Sequence, residues 1–301
     1  MNKKWIAIFF FLLFLAFFSY TIASVLSFIF GEEAILSGNV ALIPVSGTIM
    51  VGNGDGLFED SIANSKDLID NIKKASANPE IKAILLDINS PGGSAVASQE
   101  VAREVKRVNK TVYAFIREQG TSGAYWIASS ANKVVSEELA LTGSIGVISS
   151  YLDFSGLLAD YNVSYQRLIA GKYKDIGTPF RKLSKEEEVM LQKRLDIIHD
   201  YFINAVADNR KLPKEKVRDL ATGMFYLGIE AKEMGLVDEL GDMDYVTEMI
   251  KKDLNLKEIN FVEYKQKRSL IDMLSRITSN FGFWIGKGIS TPKAESMIVR
   301  T

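Results

Sequence analysis

The feature that most constrains this chain is an uncharged apolar run close to its N-terminus. Residues 5–30 contain no charged side chain and only four Ser or Thr residues. A helix of this length would extend roughly 39 Å, which exceeds the roughly 30 Å hydrocarbon core of a bilayer. We therefore predict a single N-terminal transmembrane helix over residues 5–30.

The charges on either side of this run predict its orientation. Lys3 and Lys4 precede the run, whereas Glu32 and Glu33 follow it. Because positively charged flanks are retained in the cytoplasm, we expect a cytoplasmic N-terminus, a single pass through the cell membrane and an extracytoplasmic body. The alternative is a signal peptide cleaved near Thr21-Ile-Ala23. The apolar run continues past that point, which favours a retained anchor, and the body is exported in both cases.

The composition of the whole chain excludes several classes of protein and site. The 36 basic and 37 acidic side chains give a formal net charge of −1, so nothing indicates nucleic acid as a partner. A hydrophobic content of 47% excludes disorder as the main state. The chain has no cysteine and one histidine, which excludes disulfides, thiolate nucleophiles, zinc clusters and iron–sulfur sites. We expect no metal and no other cofactor.

Beyond the apolar run, β-branched segments alternate with helical patterns. Residues 81–88 are nearly all apolar, which is typical of a strand buried on both faces of a parallel sheet. The turn Asn89-Ser-Pro-Gly-Gly-Ser94 follows, and then a helix to about Val108. This order predicts an α/β fold. The other predicted elements are helices at 65–77, 123–131 and 184–209 and strands at 39–45, 111–116, 133–135, 145–148 and 163–169.

The longest predicted helix has a clear start and contains the only histidine. Ser184 and Glu187 have the spacing of a capping box. A Ser-His-Asp triad would have to use His199, and its place inside this helix favours an exposed or helix-flanking side chain instead. Apolar residues that recur three and four apart predict one packed face of the helix: Leu191, Leu195, Ile198, Phe202 and Ala205.

Two turns carry candidate chemistry. The Gly92-Gly93 turn follows a buried parallel strand, where backbone N–H groups could bind an anion or an oxyanion. It could equally be a simple strand-to-helix turn. Ser122 starts a stretch of small residues after another predicted strand. A serine in that position is most often an N-cap, but it can also be a nucleophile at a helix N-terminus.

A serine nucleophile needs a base, and with histidine disfavoured the usual candidate is lysine. Lowering a lysine pKa from about 10.4 to about 7 costs roughly 4.6 kcal/mol, so the amine must be desolvated. The segment Gly171-Lys-Tyr-Lys-Asp175 offers two lysines directly after a predicted strand. The residues alone do not choose between them, and a solvated surface charge is the ordinary state of any lysine.

Four motifs together resemble those of a known family. They are Asn89-Ser-Pro-Gly-Gly-Ser94, Thr121-Ser-Gly-Ala-Tyr-Trp-Ile-Ala128, Leu141-Thr-Gly-Ser-Ile-Gly-Val147 and Gly171-Lys-Tyr-Lys-Asp175. Their order and spacing are similar to those of the signal peptide peptidase A family, in its short, single-repeat, membrane-anchored form. The segment from Phe225 to Gly241 resembles the closing helix-turn signature of that family. The resemblance covers about residues 39–241.

The resemblance implies a crotonase/Clp-type fold, a superhelix of β-β-α units, and hydrolysis of peptides by a Ser/Lys dyad. Position by position, it makes Ser122 the nucleophile and Lys174 the general base, whereas Lys172 is not catalytic. It makes Ser144 the hydroxyl that orients the lysine amine. The backbone N–H groups of Gly93 and Gly123 would form the oxyanion hole.

The function implied is a membrane-anchored serine endopeptidase that cleaves apolar peptides, such as remnant signal peptides, through an acyl-enzyme. Activity should rise with pH as the lysine amine loses its proton. The resemblance also implies a ring-like homo-oligomer whose sites neighbours can share. Two alternatives stay open at this point: a crotonase-like acyl-thioester enzyme that stabilises an enolate, and a non-catalytic scaffold that binds peptides.

These observations predict five successive regions. The last one carries apolar residues at three-to-four spacing, which predicts an amphipathic helix that packs on a neighbouring subunit or on its own domain rather than on the membrane. The regions are a cytoplasmic N-terminus (1–4), a transmembrane anchor (5–30), a linker (31–38), a Clp/crotonase-like peptidase domain (39–268) and an amphipathic C-terminal segment with a flexible tail (269–301).

Overall fold

The computed structural model describes residues 11–22, 24, 38–52 and 62–264. The chain divides into one unit of residues 37–265 and a second of residues 1–36 with 266–301. Within the predicted anchor, residues 11–22 are helical and their apolar side chains are exposed. No helix among the described residues has the length and apolar character needed to cross a bilayer. Most of the predicted anchor and the whole predicted segment 269–301 lie outside the described residues.

A mainly parallel sheet forms the centre of the unit 37–265. Its strands and a separate two-stranded ribbon are β1 (Val40–Ser46), β2 (Thr48–Met50), β3 (Ile62–Asn64), β4 (Ala83–Ser90), β5 (Thr111–Thr121), β6 (Lys133–Ser136), β7 (Leu141–Gly143), β8 (Phe225–Leu227), β9 (Glu239–Leu240) and β10 (Phe261–Glu263). The order is β10-β1-β4-β5-β6-β9, with all neighbours parallel. The end of β5 also pairs with β7, which pairs antiparallel with β8. Strands β2 and β3 form the ribbon.

Helices connect these strands and cover both faces of the sheet. They are α1 (Ser65–Ala77), α2 (Ala95–Arg107), α3 (Gly123–Ser129), α4 (Ser155–Asp160), α5 (Lys185–Arg210), α6 (Lys214–Leu220), α7 (Gly228–Met234) and α8 (Met243–Asp253). Residues of α1, α2, α3 and α5 contribute to the larger apolar core on one face. On the other face, Val246 and Ile250 of α8 share a smaller core with Leu85, Tyr113 and Phe115. The protein is therefore an α/β protein with a mostly parallel sheet.

Several predicted elements are confirmed because their signals are local. Helix α1 has the predicted bounds, and the capping box of Ser184 and Glu187 is present at the start of α5. Strand β4 is buried on both faces, since Ile84 and Leu86 belong to one core and Leu85 to the other. Its apolar sequence is therefore explained by the two cores.

The predicted strands at 145–148 and 163–169 are wrong. Neither segment forms a strand, and Ile148 and Val163 are exposed. Residues 146–148 and 163–169 belong to a segment that we call the arm, residues 146–184, all of which the structure describes, whereas Ile145 before it is buried. The arm contains one short helix, α4, and none of its residues is buried. A β-branched run forms a strand only where it has a neighbour to pair and pack with, and no strand in the described part of the chain pairs with these two segments.

Candidate active site

Ser122 lies in the turn between β5 and α3, in a conformation that few non-glycine residues adopt. Its φ is 53° and its ψ is −123°. Such a conformation costs on the order of 1–3 kcal/mol and persists only where the surroundings fix it. Here the Ser122 N–H donates to the Gly143 carbonyl (2.8 Å), and the Ser122 carbonyl accepts from Trp126 (3.0 Å). The Ser122 side chain makes no capping hydrogen bond, so the ordinary N-cap role does not explain it.

The Gly92-Gly93 turn packs directly on the Ser122 turn. A Cβ on Gly92 would lie 2.6 Å from the Gly123 nitrogen and 2.9 Å from the Ser122 Cβ. A Cβ on Gly93 would lie 2.1 Å from the carbonyl oxygen of Ile49. Ile49 holds this turn in place, because its N–H donates to Gly92 and its carbonyl accepts from Ser94, both at 2.8 Å. Only glycine fits either position.

Two backbone donors result from this packing. The Gly93 nitrogen lies 3.3 Å from the position that a Cβ on Gly123 would take. The Gly93 N–H has no acceptor among the described residues. Gly123 is the first residue of α3, and the first N–H groups of a helix have no intrahelical acceptor. The pair is suited to bind negative charge beside the Ser122 side chain.

Ser144 is held next to Ser122 by the register of two strands. Thr121 of β5 pairs with Gly143 of β7, and the residue after each is a serine with positive φ (53° and 48°). The Ser144 N–H donates to the Met224 carbonyl and its Oγ donates to the Gly223 carbonyl, both at 3.0 Å. The Ser144 oxygen retains lone pairs that can accept a hydrogen bond from an amine.

The two lysines of the arm differ in their contacts. Lys172 Nζ lies 2.8 and 3.0 Å from the carboxylate oxygens of Glu186 and stacks over the Tyr173 ring. Hydrogen bonds with Glu186 and Tyr173 raise the pKa of Lys172 above its usual value, which keeps it charged and unsuited to act as a base. Lys174 is exposed, and its amine makes no hydrogen bond or ion pair with any described residue, including Ser122.

His199 is not placed for a triad. It lies in α5, and its Nε2 is buried without a hydrogen-bond partner among the residues that the structure describes. No group of three His, Asp or Glu side chains within the described ranges could hold a metal ion.

Sequence reasoning missed one residue that shapes the site. Ser98 of α2 is fully buried, and its Oγ has no partner in the described part of the chain. This Oγ would lie 2.2 Å from a Cβ on Gly123, so Ser98 explains why residue 123 must be glycine. No sequence signal indicates it, because the contact arises from the approach of α2 to α3.

The comparisons with known proteins decide the family. The sequence profile of peptidase family S49 matches residues 104–257, a segment that includes Ser122, Ser144 and Lys174. The chain belongs to peptidase family S49. A Methanocaldococcus jannaschii protein named "Putative protease" is 34% identical over 78% of this chain and 76% of its own length. An Enterococcus faecium protein named "Putative signal peptide peptidase SppA" is 33% identical over 78% and 69% of the two chains.

Longer relatives match over a smaller share of their length. The Arabidopsis thaliana protein named "Serine protease SPPA, chloroplastic" is 31% identical over 80% of this chain and 37% of its own. The predicted resemblance to the signal peptide peptidase A family is thus confirmed, and this S49 member is a peptidase of the serine class. Membership of S49 argues against both the acyl-thioester enzyme and the non-catalytic scaffold.

Proposed function

We propose that this S49 peptidase is a membrane-anchored endopeptidase in which Ser122 is the nucleophile and Lys174 the general base. The observation that carries the proposal is the strained turn at Ser122, which sets a free hydroxyl beside the N–H groups of Gly93 and Gly123. Strained backbone that is over-determined by its surroundings is concentrated at active sites. A strand-to-helix turn that presents a serine beside backbone donors is suited to acyl transfer.

The mechanism follows from these positions. Neutral Lys174 takes the proton of Ser122 as its Oγ bonds to the peptide carbonyl carbon, and the oxyanion is bound by the N–H groups of Gly93 and Gly123. The lysine ammonium then protonates the departing amine as the carbon–nitrogen bond breaks, which leaves an acyl-enzyme. Water, deprotonated by the same lysine, hydrolyses the ester. Ser144 accepts a hydrogen bond from the amine and orients it.

Lys174 reaches a serine of a neighbouring copy in this proposal. Within one chain, the segments that carry Ser122 and Lys174 contact different ends of helix α5. Phe202 stacks on Trp126 of α3 at 4.6 Å. Glu186, at the other end of the helix, binds Lys172. Residues 186 and 202 are about 24 Å apart along a straight helix axis. The loop of residues 171–175, which we call the lysine loop, and helix α3 with its neighbouring Ser122 thus contact opposite ends of α5.

The arm supports such an assembly because it exposes many apolar side chains. Leu168 is 97% and Ile148 is 92% exposed, and further exposed residues are Leu152, Leu157, Tyr161 and Val163. An apolar surface of this kind is typical of a protein–protein contact. Covering it in a ring-like homo-oligomer would also take the Lys174 amine out of water, as a lysine base requires. We also propose that the peptidase domain of each chain has the crotonase/Clp-type fold, a superhelix of β-β-α units.

The location and substrates are part of the proposal. The uncharged run at residues 5–30, with lysines before it and glutamates after it, favours a single-pass anchor with an extracytoplasmic catalytic domain. A site tethered to the membrane has access to extended apolar peptides, such as signal peptides left there after cleavage. The Enterococcus faecium relative carries the name of an enzyme of this kind.

The test is cleavage of a fluorogenic apolar peptide by the full-length protein in detergent. We expect Ser122→Ala and Lys174→Ala each to lower kcat by at least about 10³-fold, because a nucleophile and its base act as a unit. Both variants should keep the oligomer of the unchanged protein, measured by light scattering. A fluorophosphonate should label Ser122 alone. Full turnover by Lys174→Ala would assign the base role to another residue, and full turnover by Ser122→Ala would overturn the proposal.

A further inference from the structure

The loop that carries Lys174 is tied to α5 on both sides of that lysine. On one side, Lys172 and the Tyr173 hydroxyl both bind the carboxylate of Glu186. On the other side, Asp175 binds Arg181, and Arg181 binds Glu187. Glu186 and Glu187 are consecutive residues in the first turn of α5. Lys174 therefore lies between two attachments that end at the same turn of one helix.

The second attachment is the more enclosed of the two. Arg181 binds both carboxylates with its guanidinium: its Nε and Nη2 lie 3.2 and 3.1 Å from Asp175, and its Nη1 and Nη2 lie 2.8 and 2.7 Å from Glu187. The Glu187 side chain is only 6% exposed, whereas Glu186 is 56% exposed. We call Asp175, Arg181 and Glu187 the clamp. Arg167 adds two hydrogen bonds of 2.6 Å to Asp175.

The clamp joins the arm to a buried side chain of α5, Glu187. None of the residues 146–184 is buried, so no apolar core of the arm's own fixes the path of the lysine loop. A guanidinium that bridges two carboxylates is rigid and directional, and enclosed ion pairs of this geometry fix one conformation. Lys172 and Asp175 are both paired, whereas the Lys174 amine between them has no partner among the described residues.

We propose that Arg181 and Glu187 are positioning residues for the general base, which they serve by fixing the lysine loop to the first turn of α5. The inference rests on the proposed role of Lys174. The clamp touches neither the nucleophile nor the oxyanion donors, and it acts through the backbone of Asp175 on the neighbouring Lys174. Its effect therefore falls on the chemical step rather than on substrate binding.

The chain offers closely matched substitutions to test the clamp. Glu187→Gln removes the charge that binds Arg181 but keeps an N3 side chain suited to a capping box. Glu188→Gln makes the same change one residue later, where the carboxylate pairs with exposed Lys185. Arg181→Gln removes the bridging guanidinium. Arg181→Lys keeps the positive charge but loses the planar set of N–H donors that binds two carboxylates at once. All four are made in the full-length protein and measured with the same fluorogenic peptide.

We expect Glu187→Gln and Arg181→Gln to lower kcat tenfold or more, with KM within twofold of the unchanged protein. Arg181→Lys should lower kcat by a smaller factor, and Glu188→Gln should stay within twofold. The oligomer should be unchanged in all four, and so should the hydrogen-exchange protection of residues 83–90 in β4. A kcat within twofold for both Glu187→Gln and Arg181→Gln would overturn the inference. A fall in kcat together with a rise in KM and loss of the oligomer would also overturn it, because the clamp would then maintain the overall structure rather than position Lys174.

The two proposals fail in different ways. Ser122→Ala and Lys174→Ala are measured beside the clamp variants. If Ser122→Ala keeps full turnover, the proposed function fails; if Lys174→Ala keeps it, the base role belongs to another residue and the positioning role fails with it, whatever the clamp variants do. If both are inactive and the clamp variants are fully active, the dyad stands and only the positioning role is wrong.

Discussion

Two regions of this peptidase are stabilised in different ways, one by apolar cores and the other by turns and ion pairs. The sheet region, residues 38–52 and 62–143, is held by apolar cores on both faces and contains Ser122, Gly93 and Gly123. The arm, residues 146–184, has no buried residue, exposes many apolar side chains and is fixed by turns and ion pairs. In the proposed mechanism, the nucleophile and the oxyanion hole lie in the rigid sheet region, whereas the proposed base, Lys174, lies in the arm, which we propose a neighbouring copy covers.

The backbones of Ser122 and Ser144 are held differently from that of the lysine loop. Ser122 and Ser144 keep positive φ values because the ends of β5 and β7 hold their backbones by hydrogen bonds. The lysine loop, by contrast, is a series of turns such as that from the Gly171 carbonyl to the Lys174 N–H (3.1 Å). Substitutions in the sheet region should therefore alter chemistry and stability, whereas substitutions in the arm should alter chemistry or assembly without unfolding the sheet region.

After loss of Ser122 or Lys174, the largest effect is expected at the Gly92-Gly93 turn beside Ser122, the proposed nucleophile. Gly93→Ala would place a Cβ 2.1 Å from the Ile49 carbonyl oxygen and would displace the turn. We expect kcat to fall by about 10²–10³-fold, as when an oxyanion donor is lost. Gly156→Ala is the control in the arm, since nothing lies within 4 Å of its Cβ position. Equal activities of the two variants would exclude Gly93 from the oxyanion hole.

The stability of the two regions can be compared with one substitution in each. Phe202→Ala removes a buried ring that stacks on Trp126, and we expect the free energy of unfolding to fall by about 3–5 kcal/mol. Leu168→Ala, at a side chain that is 97% exposed, should change it by less than about 0.5 kcal/mol in dilute monomer. Urea unfolding followed by tryptophan fluorescence measures both. A large loss from Leu168→Ala would show that the arm has a core within one chain.

As the pH falls, the arm should lose its folded conformation before the sheet region does. Hydrogen bonds from Arg181 and Ser184 lower the pKa of Glu187 to about 2, and Arg167 and Arg181 lower that of Asp175. A carboxylate with a lowered folded-state pKa stabilises above its ordinary pKa, near 4, and loses that contribution as the pH falls toward 2. The protection of backbone amides of residues 171–187 against hydrogen exchange should therefore fall between about pH 4 and pH 2, before that of residues 83–90 falls. Simultaneous loss of protection in both segments would contradict this.

The smallest effect is expected at the other lysine of the loop. Lys172 pairs with exposed Glu186, and exposed ion pairs contribute at most about 1 kcal/mol. Lys172→Ala should leave kcat within about twofold, since the clamp still fixes the loop. A loss as large as that of Lys174→Ala would mean that the roles of the two lysines are reversed.

The parts of the fold predicted from the sequence are those whose signals are local. The apolar run of β4, the bounds of α1 and the capping box at Glu187 each follow from neighbouring residues. The strands predicted at 145–148 and 163–169 failed because β-branched residues do not reveal whether a partner strand exists. The motifs indicated Ser122, but no local pattern could reveal that Ser98 fills the space beside Gly123 or that Arg181 bridges two carboxylates.

The central claim, that the arm of one copy activates the serine in the sheet region of another, can be tested by mixing two inactive variants. Ser122→Ala supplies an intact Lys174, and Lys174→Ala supplies an intact Ser122. After subunits are exchanged in equal amounts, about a quarter of the sites would combine both intact residues if neighbours in a closed ring share them. We predict recovery of about a quarter of the unchanged protein's peptide cleavage. A mixed oligomer with no recovered activity would contradict the account.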